Sequence, residues 1–160
     1  MKQVIASIIN PTVLNGKFSF EILLKNIGDT VHMGNSSFVF RNSFGTLRNP
    51  RLVKMNPLYD SIPVKNSPYA SPILAQFAGD SKLILQLKHQ QGTGNFLDAK
   101  DLLAKIELDI VAEPPRFLHW DRDNSAIVEP NFNTVATEWE GDVRVLTTPY
   151  APEERILKLQ

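Results

Sequence analysis

The densest group of hard oxygen ligands in the chain lies in the segment HWDRDNSAIVEPN, His119 to Asn131. Asp121, Asp123 and Asn124 are followed there by the Ser125 hydroxyl and by Glu129. Calcium takes about six to eight oxygens, which makes Asp121, Asp123 and Asn124 a candidate calcium site. The loop lacks the glycine and the bidentate glutamate at the spacing of an EF-hand. Asp and Asn side chains also cap their own backbone in turns, so the sequence supports a turn here as well as a cation. No other cofactor is indicated. His32, His89 and His119 fall on three separate elements without the i, i+2 or i+4 spacing of a zinc site. The absence of cysteine removes thiol catalysis, disulfides and thiolate metal sites together.

Hydrolytic chemistry finds no better footing. A glycosidase needs two carboxylates about 5–10 Å apart across a cleft. Asp121/Asp123 and Glu138/Glu140 are pairs at i, i+2, as on many solvated strands. No G-x-S-x-G elbow occurs, and Gly92-Thr93-Gly94 lacks the lysine of a phosphate loop. The expectation is a protein that is not an enzyme. Aromatic rings could instead stack on sugars. Trp120 and Trp139 read as core, because a tryptophan in a sandwich buries a large apolar area. Tyr150 falls in a tail with Pro149. Tyr59 and Tyr69, in a proline-rich loop, are the candidates for exposed ligand-binding rings, with polysaccharide as the partner.

The elements that would position these residues are short alternating runs between turns. Phe18, Phe20, Ile22 and Leu24 share one face, after the Asn15-Gly16 turn and before Gly28-Asp29. Phe38 and Phe40 follow, then Arg51 to Met55 and Ile73 to Phe77. Leu83, Leu85 and Leu87 alternate with polar neighbours, with Ile84 on the opposite face. Ile106, Leu108 and Ile110 point inward and Lys105, Glu107 and Asp109 outward. Arg116 to Trp120, Thr134 to Trp139 and Val143 to Leu146 complete the series, about nine to ten strands at the spacing of an antiparallel sandwich. Eleven prolines agree with such a fold, being confined to loops, edges and strand ends. One short helix is suggested over Asn95 to Lys105, where Phe96, Leu97, Leu102 and Leu103 recur. The prediction is an all-β antiparallel sandwich over residues 1–146, followed by a linker or strand-like tail over 147–160.

That tail carries Pro149 and Pro152, then RILKLQ. Arg155, Ile156, Leu157, Lys158 and Leu159 look like a strand for which the rest of the sequence offers no obvious partner, so they are candidates to pair with another copy. Seventeen basic residues balance seventeen acidic ones, leaving no net field for nucleic acid. The apolar run Val4 to Ile9 stops at Asn10-Pro11, short of the ~7–15 residues of a signal-peptide core. No stretch approaches the ~18 apolar residues of a membrane span.

Two segments resemble a known family. FSFEILLKNIGDTVHMGNSSFVFRNSFGTLRNPRLV (Phe18 to Val53) is similar to the opening strands of cohesin-like β-sandwich modules of large secreted bacterial proteins, especially those of the type IX secretion system. Lys25-Asn26 closes the alternating strand, Ser36, Ser37 and Phe38 open the next, and Leu47 to Pro50 forms a Leu-x-x-Pro step. PPRFLHWDRDNSAIVEPNFNTV (Pro114 to Val135) resembles a late strand and turn of the same modules. The resemblance implies a jelly-roll-like sandwich, export to the cell surface or exterior, and a non-catalytic structural or adhesive role. Its partners would be other protein modules or further copies of the chain. Cohesins bind dockerins through one sheet face, and no dockerin-contact residue is carried over to this sequence.

Overall fold

Asn15 and Gly16 both hold positive φ, 52° and 75°, as a two-residue type I′ hairpin turn demands. They join β1 (Lys2–Leu14) to β2 (Lys17–Gly28), which pair antiparallel from Lys2↔Gly28 to Leu14↔Lys17. The computed structural model describes residues 1–42, 47–60, 69–77, 82–90, 101–112, 117–144 and 155–156, with 144 and 155–156 given by backbone alone. Further strands are β3 (Ser36–Asn42), β4 (Leu47–Met55), β5 (Ile73–Phe77), β6 (Lys82–Leu87) and β7 (Asp101–Ile110). They are followed by β8 (Phe117–Trp120), β9 (Ile127–Val128), β10 (Thr134–Glu140), β11 (Val143–Arg144) and β12 (Arg155–Ile156), and a 3-10 turn covers Pro57–Tyr59. Among the described residues no helix is long and apolar enough to cross a membrane.

The strands form two sheets, one ordered β4-β7-β2-β1-β10-β9 with β12 also on β1, the other β11-β8-β3-β6-β5. The predicted all-β sandwich is what the chain adopts. Phe18, Phe20, Ile22 and Leu24 of the first sheet face Phe38, Phe40, Leu83, Leu85, Leu87 and Leu118 of the second, all of them buried. Each such side chain contributes about 1.5–3 kcal/mol by leaving water. Trp120 lies within this core and the half-buried Trp139 packs against it, with ring centroids 4.7 Å apart, and Trp120 meets Phe40 at 4.5 Å.

Three expectations change. The apolar run Val4 to Ile9 is part of β1, whose other edge pairs in parallel with β10 from Gln3↔Ala136 to Ser7↔Glu140. Asn10 (φ 51°) and Pro11 sit where the β1–β2 register shifts, a bulge that tolerates proline inside a strand. The helix suggested by Asn95 to Lys105 is not formed over its second half, since Asp101–Lys105 belongs to β7, and residues 95–100 lie outside the described residues. A bulge explains the misleading period. Ile22 pairs with Ala104 and Leu23 with Leu102, so Leu103 is an extra residue, and Leu103 and Ala104 are buried in succession. Finally, Arg155 and Ile156 do have a partner in their own chain, Val13 and Thr12 of β1. Leu157, Lys158 and Leu159, Tyr150 and Gly92-Thr93-Gly94 lie outside the described residues.

Candidate protein-interaction face

The five strands of the second sheet, SSFVFRN, ILAQF, KLILQL, FLHW and VR, contain no aspartate or glutamate. Alternation sends Leu83, Leu85 and Leu87 inward, so Lys82, Ile84 and Gln86 stand on the outer surface of β6. Cross-strand register extends that surface in rows. Ile73, Gln86 and Ser37 form one row, and the Ser37 hydroxyl donates to Gln86 Oε1 at 2.7 Å. Ala75, Ile84 and Val39 form the next, and Phe77, Lys82, Arg41 and His119 the third. The Phe117 and His119 rings stack at 4.8 Å and 14°. Ile73 is 46% and Phe77 49% exposed. The face is therefore apolar along its middle row, with Lys82, His119 and the Asp121-paired Arg41 along one side.

The outer surface of the seven-stranded sheet has the opposite character. Arg51 bridges Glu107 at 2.8 Å and Asp109 at 2.9 Å, and Lys17, Glu21 and Lys105 lie in the neighbouring register positions. Hydrogen bonds from Asn49 and Arg51 hold the Asp109 carboxyl below the ordinary aspartate range. Opposite charges alternating over a sheet are a solvated surface rather than a sticky one.

The candidate calcium residues are placed differently from one another. Asp121 accepts from Arg41 Nε at 2.9 Å and from Asn124 Nδ2 at 2.9 Å, while the Asn124 amide turns back to the Asp121 carbonyl at 3.3 Å. Burial pushes the Asp121 carboxyl up, but the Asn124 and Arg41 hydrogen bonds outweigh it and hold the carboxyl below its ordinary range. Asp123 and Asn124 are exposed. The Ser125 hydroxyl is tied to the Val39 backbone, accepting from its amide at 2.9 Å, and the Glu129 carboxylate accepts from Lys2 Nζ at 2.9 Å. Among the described residues no three His, Asp or Glu side chains group as a metal site.

The tyrosine pair is a correction. Tyr59 is 1% and Tyr69 0% exposed, with rings edge to face at 5.4 Å. Neither presents a ring to a sugar. The 3-10 turn folds Tyr59 inward, and the Tyr69 hydroxyl donates to the Met33 carbonyl at 2.8 Å. The proline-rich context was misleading because Tyr69 bridges to His89 at the end of β6 and so belongs to the sheet. What sequence reasoning missed is the exposed pair Ile73 and Phe77. Their signal was the want of any acidic residue in five successive sheet partners, which only the strand order reveals.

No family model matches the sequence, and no curated protein does. Solved structures do. A chain of the complex between the third cohesin of ScaC and the ScaB dockerin from Acetivibrio cellulolyticus aligns over 92% of this chain and 100% of its own, with a TM-score of 0.60 and 11% identity. A chain of the complex of CaDoc0917 with CaCohA2 aligns over 87% of this chain and 95% of its own, with a TM-score of 0.56 and 12% identity. This is a cohesin-like β-sandwich. At such identity the likeness is one of fold, and the cohesin-like core described above is what the two chains share with it.

Proposed function

We propose that this cohesin-like sandwich is a non-catalytic protein–protein interaction module that grips its partner through the outer face of the five-stranded sheet. The observation that carries the reading is the asymmetry of the two outer surfaces. One is laced with ion pairs across its strands, and the other is apolar around Ile73, Ala75, Phe77 and Ile84, with Lys82, His119 and the Asp121-paired Arg41 along one side. Apolar centres with few charges mark the core of recognition patches. The fitting partner is a protein module that offers apolar side chains to the middle row. Dockerin complexes among the similar structures support a protein module as the partner. An extracellular or cell-surface location, and export by the type IX route, belong to the same proposal and rest on the resemblance in Phe18 to Val53 and Pro114 to Val135. Self-assembly through the tail would now mean exchange of β12 between copies at Thr12 and Val13, because that position is taken within the chain.

The test is affinity capture from the source organism with the wild-type chain, with Ile84→Asp/Phe77→Asp on the apolar face, and with Glu107→Ala on the charged one. Preys kept by wild type and Glu107→Ala but lost by the apolar-face variant are expected. Preys retained equally by all three would refute the face assignment.

A further inference from the structure

A sheet edge is an open row of backbone donors and acceptors, and stable proteins guard such edges with charge, proline, bulges or shortness. Three of the four ends of the two main strand paths are guarded in that way, and the off-path β12 is two residues long. β4 carries Arg48, Pro50, Arg51 and Lys54, with Asn49 at φ 55° and register shifts on both sides of Arg51. β9 and β11 are two residues each. The fourth end is β5, Ile-Leu-Ala-Gln-Phe. It runs five residues beside β6 without a register shift, from Ile73↔Gln86 to Phe77↔Lys82, and holds no charge, proline or glycine. Among the described residues no strand pairs with β5 on the side away from β6. Gln76 Nε2 donates to the Leu47 carbonyl at 2.8 Å, which fixes this edge to the opposite sheet.

We infer that β5 is a homodimerisation edge, pairing antiparallel with β5 of a second copy about a two-fold axis through Ala75. The strand is self-complementary about that residue. Ile73 of one copy meets Phe77 of the other on the outer face, a β-branched–aromatic pair of the kind that stabilises sheets, and the same pair forms twice. Leu74 meets Gln76 and Ala75 meets Ala75, so no like charges are brought together. The formal net charge of zero removes long-range repulsion between copies. An isologous contact of this kind closes at two subunits and yields one continuous ten-stranded sheet, twice the five strands of each copy. The inference is independent of the partner proposed above, since it needs only this chain.

Sedimentation velocity over a wide concentration range tests it on the full chain. Wild type should show a concentration-dependent monomer–dimer equilibrium. Ile73→Lys/Phe77→Lys places lysine opposite lysine and should raise the dimer dissociation constant at least tenfold. Ile73→Lys/Phe77→Glu places lysine opposite glutamate in the same register and should recover most of the loss. Unchanged far-UV circular dichroism and melting of both variants would show that the fold is kept, as expected for side chains half exposed in the monomer. A wild type that stays monomeric throughout overturns the inference. So does a dimer that the double-lysine variant leaves intact, or one that the Lys/Glu variant fails to restore.

Discussion

Tyr69 shows how a single hydroxyl separates a core role from a binding role. Its ring is enclosed and its OH satisfies the Met33 carbonyl at 2.8 Å. Tyr69→Phe leaves that buried acceptor unpaired, a loss of about 1–2 kcal/mol, to be read as a lower urea midpoint. Retardation on polysaccharide gels should be the same before and after the change. Asp121 is the second informative residue. Its carboxyl is held below the ordinary range in the folded state, so its contribution is complete above the unfolded pKa of about 3.9 and disappears as pH falls through the lower folded value. Melting temperature should therefore drop more steeply below about pH 4 in wild type than in Asp121→Asn. The same preparation answers the calcium question. Arg41 and Asn124 both donate to Asp121 Oδ2, so a cation at Asp121, Asp123 and Asn124 would use the other carboxylate oxygen. On the calcium proposal, chelator-treated protein is expected to melt higher at millimolar calcium. An unchanged melting curve would leave Asp121, Asp123 and Asn124 to turn capping.

Elements explain what could be foreseen from the sequence and what could not. Strands with one face on the core alternate cleanly, and β2, β3, β6, β8 and β10 were legible because Phe18 to Leu24, Phe38/Phe40 and Leu83 to Leu87 obey a two-residue period. β1 and the start of β7 were harder for a shared reason. Each lies between two other strands and contains a bulge, at Asn10-Pro11 and at Leu103, and an inserted residue breaks the period that identifies a strand. The proposed interaction face was invisible for a different reason, since strand order is a property of pairing between distant segments and leaves no local mark. Turns were legible where a backbone requirement chose the residue, as at Asn15-Gly16. Gly141 between β10 and β11 is a second such case, with φ 87° and no room for a Cβ, which would run into the Ile8 carbonyl of β1. Gly141→Ala should destabilise by more than the ~1 kcal/mol of an ordinary glycine replacement, measured as a loss of melting temperature with the same final fold.

At the scale of the molecule, closure of the seven-stranded sheet depends on segments far apart in sequence. The parallel β1–β10 pairing joins Gln3–Ser7 to Ala136–Glu140, and it places Val135 and Trp139 against the core that β2 and β3 have built. β12 adds only Thr12↔Ile156 and Val13↔Arg155 to the other half of the same edge. The two contributions should separate on truncation. A chain ending at Leu146 keeps β10 and Val143 and is expected to fold cooperatively, with far-UV circular dichroism of a β protein and a melting temperature lowered by a few degrees, roughly the effect of 1 kcal/mol in a domain of this size. A chain ending at Asn133 loses Val135, Trp139 and Val143 together. Each buried apolar side chain removed costs about 1.5–3 kcal/mol, and together they approach the lower part of a typical domain's stability, about 5–15 kcal/mol; with the parallel pairing to β1 lost as well, that chain should be unfolded. Were the Leu146 chain also unfolded, β12 would be an integral part of the sheet rather than an addition to its edge. Sedimentation of the folded Leu146 chain then assigns any self-association. A dimer that persists without β12 belongs to the β5 edge, and one that vanishes with it belongs to exchange at Thr12 and Val13.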